Sequence, residues 1–179
     1  MEKNHELTFK IASEPDEYEQ IHQLNYATFV EEIPQHPSNP EQFLVDKFHD
    51  DNIYFICLTE NRELAGMICL REKRPFSLDK KIDNLDDYLP KKEPKCEIRL
   101  LSVKKAFRNS RVFYGLMQQL FYYCKEKGFE IAVMSGTSRQ LKLYHHLGFK
   151  TFAHTVGTPE ALYYPMFIEA SDPLDAYKF

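Results

Sequence analysis

Between residues 96 and 134 the chain reads as strand, helix, strand, and that succession leaves few folds open. Val112, Leu116, Leu120 and Cys124 recur every four residues, with Phe113, Met117 and Phe121 forming the adjacent row. Such a stripe covers one face of a helix. The apolar run 96–103 before it and the run 129–134 after it are strands, and Gly128 supplies the helix stop. A helix joining two strands is the usual crossover between parallel neighbours, so the chain is expected to be an α/β (α+β) protein on a mixed central sheet.

The flanking sequence adds elements to that unit. Residues 7–12 alternate as a strand and lead into Ser13-Glu14-Pro15-Asp16-Glu17, which offers a cap, an early proline and acidic residues for a first helical turn. That helix should run to about residue 29 or 31, where Pro34 and Pro37 stop it, and 34–45 reads as a loop. Runs 52–59 and 63–71 make an antiparallel pair around Glu60-Asn61-Arg62, which includes an asparagine tolerant of left-handed turns. Residues 72–95, with Pro75, Pro90 and Pro94 and many charges, read as a surface excursion outside the core with at most a short helix. A helix over 138–146 closes at Gly148, strands follow near 149–154 and 162–168, and the tail after residue 172 is expected to be loosely held. The sum is six or seven strands and about four helices in one domain of 179 residues.

Charge and composition remove several function classes. The net charge is −4, and lysines and arginines are spread along the chain, which disfavours nucleic acid as a partner. With 14 Phe and 11 Tyr against 6 Gly and no low-complexity tract, the chain should fold. Cys57, Cys69, Cys96 and Cys124 show no Cys-x-x-Cys and no histidine at zinc-ligand spacing, so they read as buried free thiols and no metal is expected. The first residues lack the apolar core of a signal peptide and no apolar run approaches a membrane span, so a cytoplasmic protein is expected.

Chemistry has two candidate locations. The turn between strand 96–103 and the long helix points backbone N–H groups outward and favours an anion, and Arg108 and Arg111 add positive charge there. The same arginines also fit plain solvated surface charges. The second location is the helix ending Tyr144-His145-His146-Leu147-Gly148-Phe149, where Tyr144 serves either packing or proton transfer. Glu97 and Arg99, two apart on a strand, share one face as either an ion pair or a functional pair. A hydrolase using the His145-His146 pair is disfavoured, because no nucleophile elbow is present and adjacent helical residues face different ways.

Together the two segments resemble the GNAT superfamily of N-acyltransferases. The family's first motif, Val-x-x-x-x-Arg/Gln-x-x-Gly-x-Gly/Ala, is matched in spacing by Val103, Arg108, Asn109, Ser110, Arg111, Val112 and Phe113, with Arg111 and Phe113 at the two glycine positions. The Tyr-x-x-x-Gly-Phe ending is matched at Tyr144, Gly148 and Phe149. Phe29-Val30-Glu31-Glu32, Asp46-Lys47-Phe48-His49-Asp50 and Glu97-Ile98-Arg99-Leu100 look like the N-acyl amino acid synthase and acyl-homoserine-lactone synthase branch.

The resemblance implies an acyl donor, acyl-CoA (acetyl-CoA among them) or the phosphopantetheine of acyl carrier protein, and a small-molecule amine acceptor. It implies that Leu101, Ser102 and Val103 present main-chain groups to the thioester arm, and that residues 108–113 hold its phosphates. Arg99 and Phe29 would lie on the substrate side, and Tyr144 would give a proton to the departing thiolate. The amine must first lose a proton, since at pH 7 only about one in 2,500 molecules of an amine with pKa 10.4 is neutral. Glu97, Glu31 and Glu32 are the candidate bases. Phe113 bears on the donor site directly, because its ring would obstruct the turn if it faced outward; the ladder with Met117 and Phe121 turns it inward. A catalytically silent GNAT-like domain that binds a ligand or partner is the alternative reading.

Overall fold

The structure, a computed structural model, describes residues 6–108 and 110–172. Asn109 and the tail beyond residue 172 lie outside the described residues. Among those described are eight strands in a mixed sheet and three α-helices, against six or seven strands and four helices expected. The described residues divide into two compact units, one of 6–70 with 100–108 and 110–122, the other of 71–99 with 123–172.

In the first unit, β1 (Leu7–Ile11) pairs antiparallel with β2 (Asn52–Thr59), from Leu7 opposite Thr59 to Ile11 opposite Phe55. β2 turns into β3 (Leu64–Arg71), with Thr59 N donating to Glu63 O and Arg62 N to Thr59 O, both at 2.9 Å. The left-handed residue of this hairpin is Arg62, at φ 61°, and not Asn61. A three-residue loop places that conformation last, whatever the preferences of the residue before it. α1 (Pro15–Tyr26) begins with Pro15 as its first helical residue, and Glu17 accepts from Ser13 N, Glu14 N and Lys10 Nζ at 2.9, 3.1 and 2.7 Å. The helix reaches the expected end, but over Ala27–Glu32 it widens into π-helical turns. Ala12, Ile21, Leu24, Tyr54, Ile56 and Met67 belong to the core of this unit, with Tyr18 and Leu100 packed against it.

In the second unit, the first part of β4 (Lys95–Val103) pairs parallel with β5 (Ile131–Thr137), from Lys95 opposite Ile131 to Ile98 opposite Met134. β5 pairs antiparallel with β8 (Ala161–Glu169), which also carries β6 (Lys150–Thr151) and β7 (Val156–Thr158). The expected strand near 149–154 is thus a two-residue bridge, and β7 is the strand the periodicity missed; three residues are too few to show alternation. The long helix forms as α2 (Val112–Lys127), whose residues up to 122 belong to the first unit, and the last helix as α3 (Leu141–His146) after a short 3₁₀ turn. Gly148, at φ 97°, ends α3 in the left-handed conformation that glycine adopts at least cost.

The segment 72–95 corrects an expectation. Phe76, Leu78, Ile82, Leu85 and Leu89 are all buried, so the excursion supplies core as well as surface. It forms two 3₁₀ turns, Leu78–Lys80 and Leu85–Tyr88, in place of a fourth helix, with Asn84 between them at φ 53° and the prolines at the flanks. The high charge is met locally: Arg74 pairs with Asp79 and Asp86, and Lys95 with Glu93 and Asp86. All four cysteines are buried free thiols, and burial pushes the Cys57 thiol up to about 11. No described helix is long and apolar enough to cross a membrane.

His22 on α1 is buried, its ring 4.7 Å from His49 and 5.0 Å from Phe43. Burial first, and the His49 ring second, hold its pKa below the ordinary imidazole value. The unfolded chain takes up this proton near pH 6.5, ahead of the folded one. Stability should therefore be lost as pH falls below about 6.5. Urea midpoints at pH 7.5 and 5.5 should differ more in the wild type than in His22→Phe; equal differences would remove His22 as the cause.

Candidate active site

The turn after β4 is built entirely within the first unit. Leu100 adopts φ 54° in mid-strand, a left-handed leucine that interrupts the regular strand as a bulge does. Such a conformation costs about 1–2 kcal/mol away from glycine. Beyond it, Leu101 is half-buried and the Ser102 hydroxyl is hydrogen-bonded to that of Thr28 in the π-helical stretch. Lys104 N donates to Ala65 O at 2.9 Å, and a 3₁₀ turn, Lys105–Phe107, leads to Arg108. Ser110 Oγ donates to Phe107 O at 2.5 Å and accepts from Val112 N at 3.3 Å, so it caps the start of α2. Arg111 is exposed, while Val112 and the Phe113 ring are buried on the helix ladder, the orientation the periodicity implied.

Arg108 is exposed but paired. Its Nη1 and Nη2 donate to the two carboxylate oxygens of Glu32 at 2.8 and 2.6 Å, and its Nε donates to Val103 O at 3.0 Å. Glu31 beside it is exposed, and Phe29 on the same stretch is buried. Ser102, Val103, Arg108, Ser110, Phe29 and Glu32 are thus collected in one place, although 76 residues separate the carboxylate from the guanidinium.

Glu97, Arg99 and Tyr144 belong to the second unit, where Glu97 and Arg99 are neighbours. Glu97 is buried, and its oxygens accept from Ser77 N at 2.8 Å, Ser77 Oγ at 2.5 Å and Leu78 N at 3.3 Å, with Arg99 Nε 3.6 Å away. The carboxylate therefore anchors the first 3₁₀ turn of the 72–95 segment. Tyr144 is buried, its ring edge-on to Phe149 and tight against Gly136 of β5. A Cβ on Gly136 would come within 2.9 Å of both Tyr144 Cδ2 and Met166 Sδ, so glycine is what admits the phenol ring. Burial, with Tyr163 adding to it, lifts the Tyr144 pKa well above its ordinary value, so the phenol keeps its proton. Tyr163 is itself raised to about 12 by burial, and its hydroxyl has no hydrogen-bond partner among the described residues.

Sequence reasoning singled out neither Ser77, Thr28 nor Tyr163. Ser77 and Thr28 act through partners 20 and 74 residues away, and no local spacing signals such a pair. Tyr163 sits in an aromatic-rich strand that reads only as packing.

The model of the acetyltransferase (GNAT) family matches residues 18–149. No curated protein matches the sequence. Among solved structures, the chain is similar to a CoA-dependent acyl-homoserine lactone synthase, BjaI, with SAM and isopentyl-CoA: TM-score 0.78, 19% identity, covering 93% of this chain and 85% of that one. It is similar to the acyl-homoserine lactone synthase LasI with TM-score 0.74 and 14% identity over 94% and 92% of the two chains. It is likewise similar to FeeM, an N-acyl amino acid synthase from uncultured soil microbes, with TM-score 0.72 and 11% identity over 94% and 93%. At these identities the likeness is one of fold.

Glu97→Gln would turn an amide N–H₂ toward backbone and hydroxyl donors that now meet an acceptor. Leaving a buried donor unmet costs about 2 kcal/mol. The urea midpoint should fall accordingly, and an unaltered midpoint would show that Ser77 and Leu78 do not depend on this carboxylate.

Proposed function

The chain belongs to the acetyltransferase (GNAT) family and is an acyltransferase, and from that premise we propose its donor and acceptor. It moves an acetyl or longer acyl group from a phosphopantetheine thioester, carried by coenzyme A or an acyl carrier protein, to the amine of a small molecule. The observation that carries this reading is the break in β4. The parallel register with β5 runs only to Ile98, and Leu100 then turns left-handed. Main-chain groups of Leu101, Ser102 and Val103 on the edge away from β3 are thereby offered to the thioester arm in place of β5. Isopentyl-CoA beside BjaI supports a coenzyme A donor, and the N-acyl amino acid synthase FeeM supports an amino-acid-like acceptor.

The residues present fit a phosphate-bearing donor. The Phe113 ring is turned into the helix ladder, and Lys105 and Arg111 stand exposed on the turn. Backbone N–H groups at the start of α2 add the positive end of the helix dipole. The donor supplies an activated thioester carbonyl, and N–H groups of residues 101–103 would stabilise the negative charge that develops on its oxygen. Arg99 and Phe29 lie on the substrate side in this reading.

An ammonium acceptor must give up a proton to a carboxylate before attack. Glu97 already spends its oxygens on Ser77 and Leu78, which suits positioning. Glu31, exposed, and Glu32, held by Arg108, carry the base role. Tyr144 keeps its proton and donates a hydrogen bond to the departing sulfur. The proton follows to the extent that the same burial raises the basicity of the thiolate.

Tyr144→Phe should lower turnover about 10- to 100-fold, the loss expected for one hydrogen bond to a charged group. Donor affinity should stay the same. Release of free thiol from acetyl-CoA and from a long-chain acyl-CoA, assayed across a panel of amino acids, measures the first, and calorimetry with coenzyme A measures the second. Equal turnover in the two proteins would remove Tyr144 from the mechanism.

A further inference from the structure

The turn that should attract the donor's phosphates is partly neutralised by the protein's own carboxylate. The Glu32–Arg108 pair is two-pointed, at 2.8 and 2.6 Å, so it fixes direction as well as distance. The two side chains remain 22% and 39% exposed. An anion from solvent can therefore reach the guanidinium, and Glu32 can swing into water without leaving a charge buried. Lys104, the neighbouring cation, is also engaged, by Glu63 at 2.9 Å. Lys105 and Arg111 stand exposed on the same turn, available for a first encounter with a phosphate.

The carboxylate lies at the end of a π-helical segment. Glu32 is the last residue of the π-helical stretch Ala27–Glu32, which is followed by two wide backbone bonds, Ile33 N to Thr28 O at 2.8 Å and Gln35 N to Phe29 O at 3.0 Å. Side-chain ties fasten the stretch near the donor turn, among them Thr28 on Ser102 and Glu32 on Arg108. The first tie is buried and the second is open to solvent, so the second is the one a ligand can exchange.

We propose that Glu32 gates the donor turn: its carboxylate occupies Arg108 until a donor phosphate displaces it, and the exchange releases the end of the 27–32 stretch. The inference rests on the donor reading given above and deepens it. No covalent bond changes; one anion leaves the guanidinium and another takes its place. A phosphate carries more charge and presents the same forked pair of oxygens, so it competes well with a carboxylate. The consequence is an order of events. Before the donor arrives, Glu32 is held as the counter-ion of Arg108; afterwards its carboxylate is available to take the acceptor's proton.

Calorimetry with coenzyme A at low ionic strength tests the gate in the wild type, Glu32→Gln, Glu32→Ala, Arg108→Ala and the Glu32→Gln/Arg108→Ala double variant. Losing the competing carboxylate should tighten binding about five- to tenfold in both Glu32 variants, with the gain shrinking as salt is added. Arg108→Ala should bind more weakly, and the double variant should match it if the carboxylate competes at the Arg108 guanidinium. Coenzyme A should also speed amide hydrogen exchange over residues 28–35 in the wild type. If Arg108→Ala weakens binding but neither Glu32 variant tightens it, or exchange over 28–35 is unmoved by coenzyme A, the gate is overturned while the donor turn stands. If Arg108→Ala binds as well as the wild type, or if no variant binds coenzyme A, the donor reading of this turn falls and the gate with it.

Discussion

A leucine held in the left-handed region in the middle of β4 is the constraint on which the proposed chemistry depends. Regular β backbone would continue the hydrogen-bonding pattern along the strand, and a ladder that uses its main-chain groups leaves none for a ligand. At Leu100 the conformation changes, and the strand enters the segment that ends at Arg108. The unfavourable φ persists because its surroundings determine it. The Leu100 side chain packs on the core that contains Ile21, Tyr54 and Met67, and Lys104 is hydrogen-bonded to Ala65 four residues further on. Strain of this kind survives where packing on either side outweighs it, and such places cluster at functional sites.

The carboxylates show how burial divides residues of one type among different tasks. Glu97 is buried, and its oxygens receive two backbone N–H groups and a hydroxyl, which makes it the anchor of a charged segment. Glu32 is open to water on one side and grips a guanidinium. Glu31, next to it, faces solvent. A carboxylate surrounded by donors is a good acceptor but a poor proton shuttle, because protonation would forfeit those bonds. The division of labour thus follows from environment, since all three side chains are chemically the same.

Structural relatives with between 11% and 19% identity share this architecture across nearly the whole chain. The fold tolerates that divergence because it asks only for apolar residues at the right period. The site asks for particular atoms at particular distances. The departures at Arg111 and Phe113 illustrate the difference: an exposed arginine and an inward phenylalanine are accommodated by the helix, where the family pattern has small residues.

Local periodicity and punctuation were sufficient for the elements that repeat: the ladder from Val112 to Cys124, the hairpin around residues 60–62, the stop at Gly148 and the inward Phe113 were all legible in the order of residues. Those features depend on neighbours within one or two turns, or across one tight loop. The three-residue β7, the left-handed residue at Arg62 and the buried half of the 72–95 segment were not, because short strands, loop geometry and the burial of scattered apolar residues are set by what packs against them. The pairings that hold the candidate residues belong to the same class. Glu32 meets Arg108, Thr28 meets Ser102 and Ser77 meets Glu97 only after the chain has folded, since each pair lies between 20 and 76 residues apart. The sequence by itself determined which side chains could do chemistry; the tertiary structure alone decided which of them already had a partner, because a hydrogen bond depends on distance in space and not on separation along the chain.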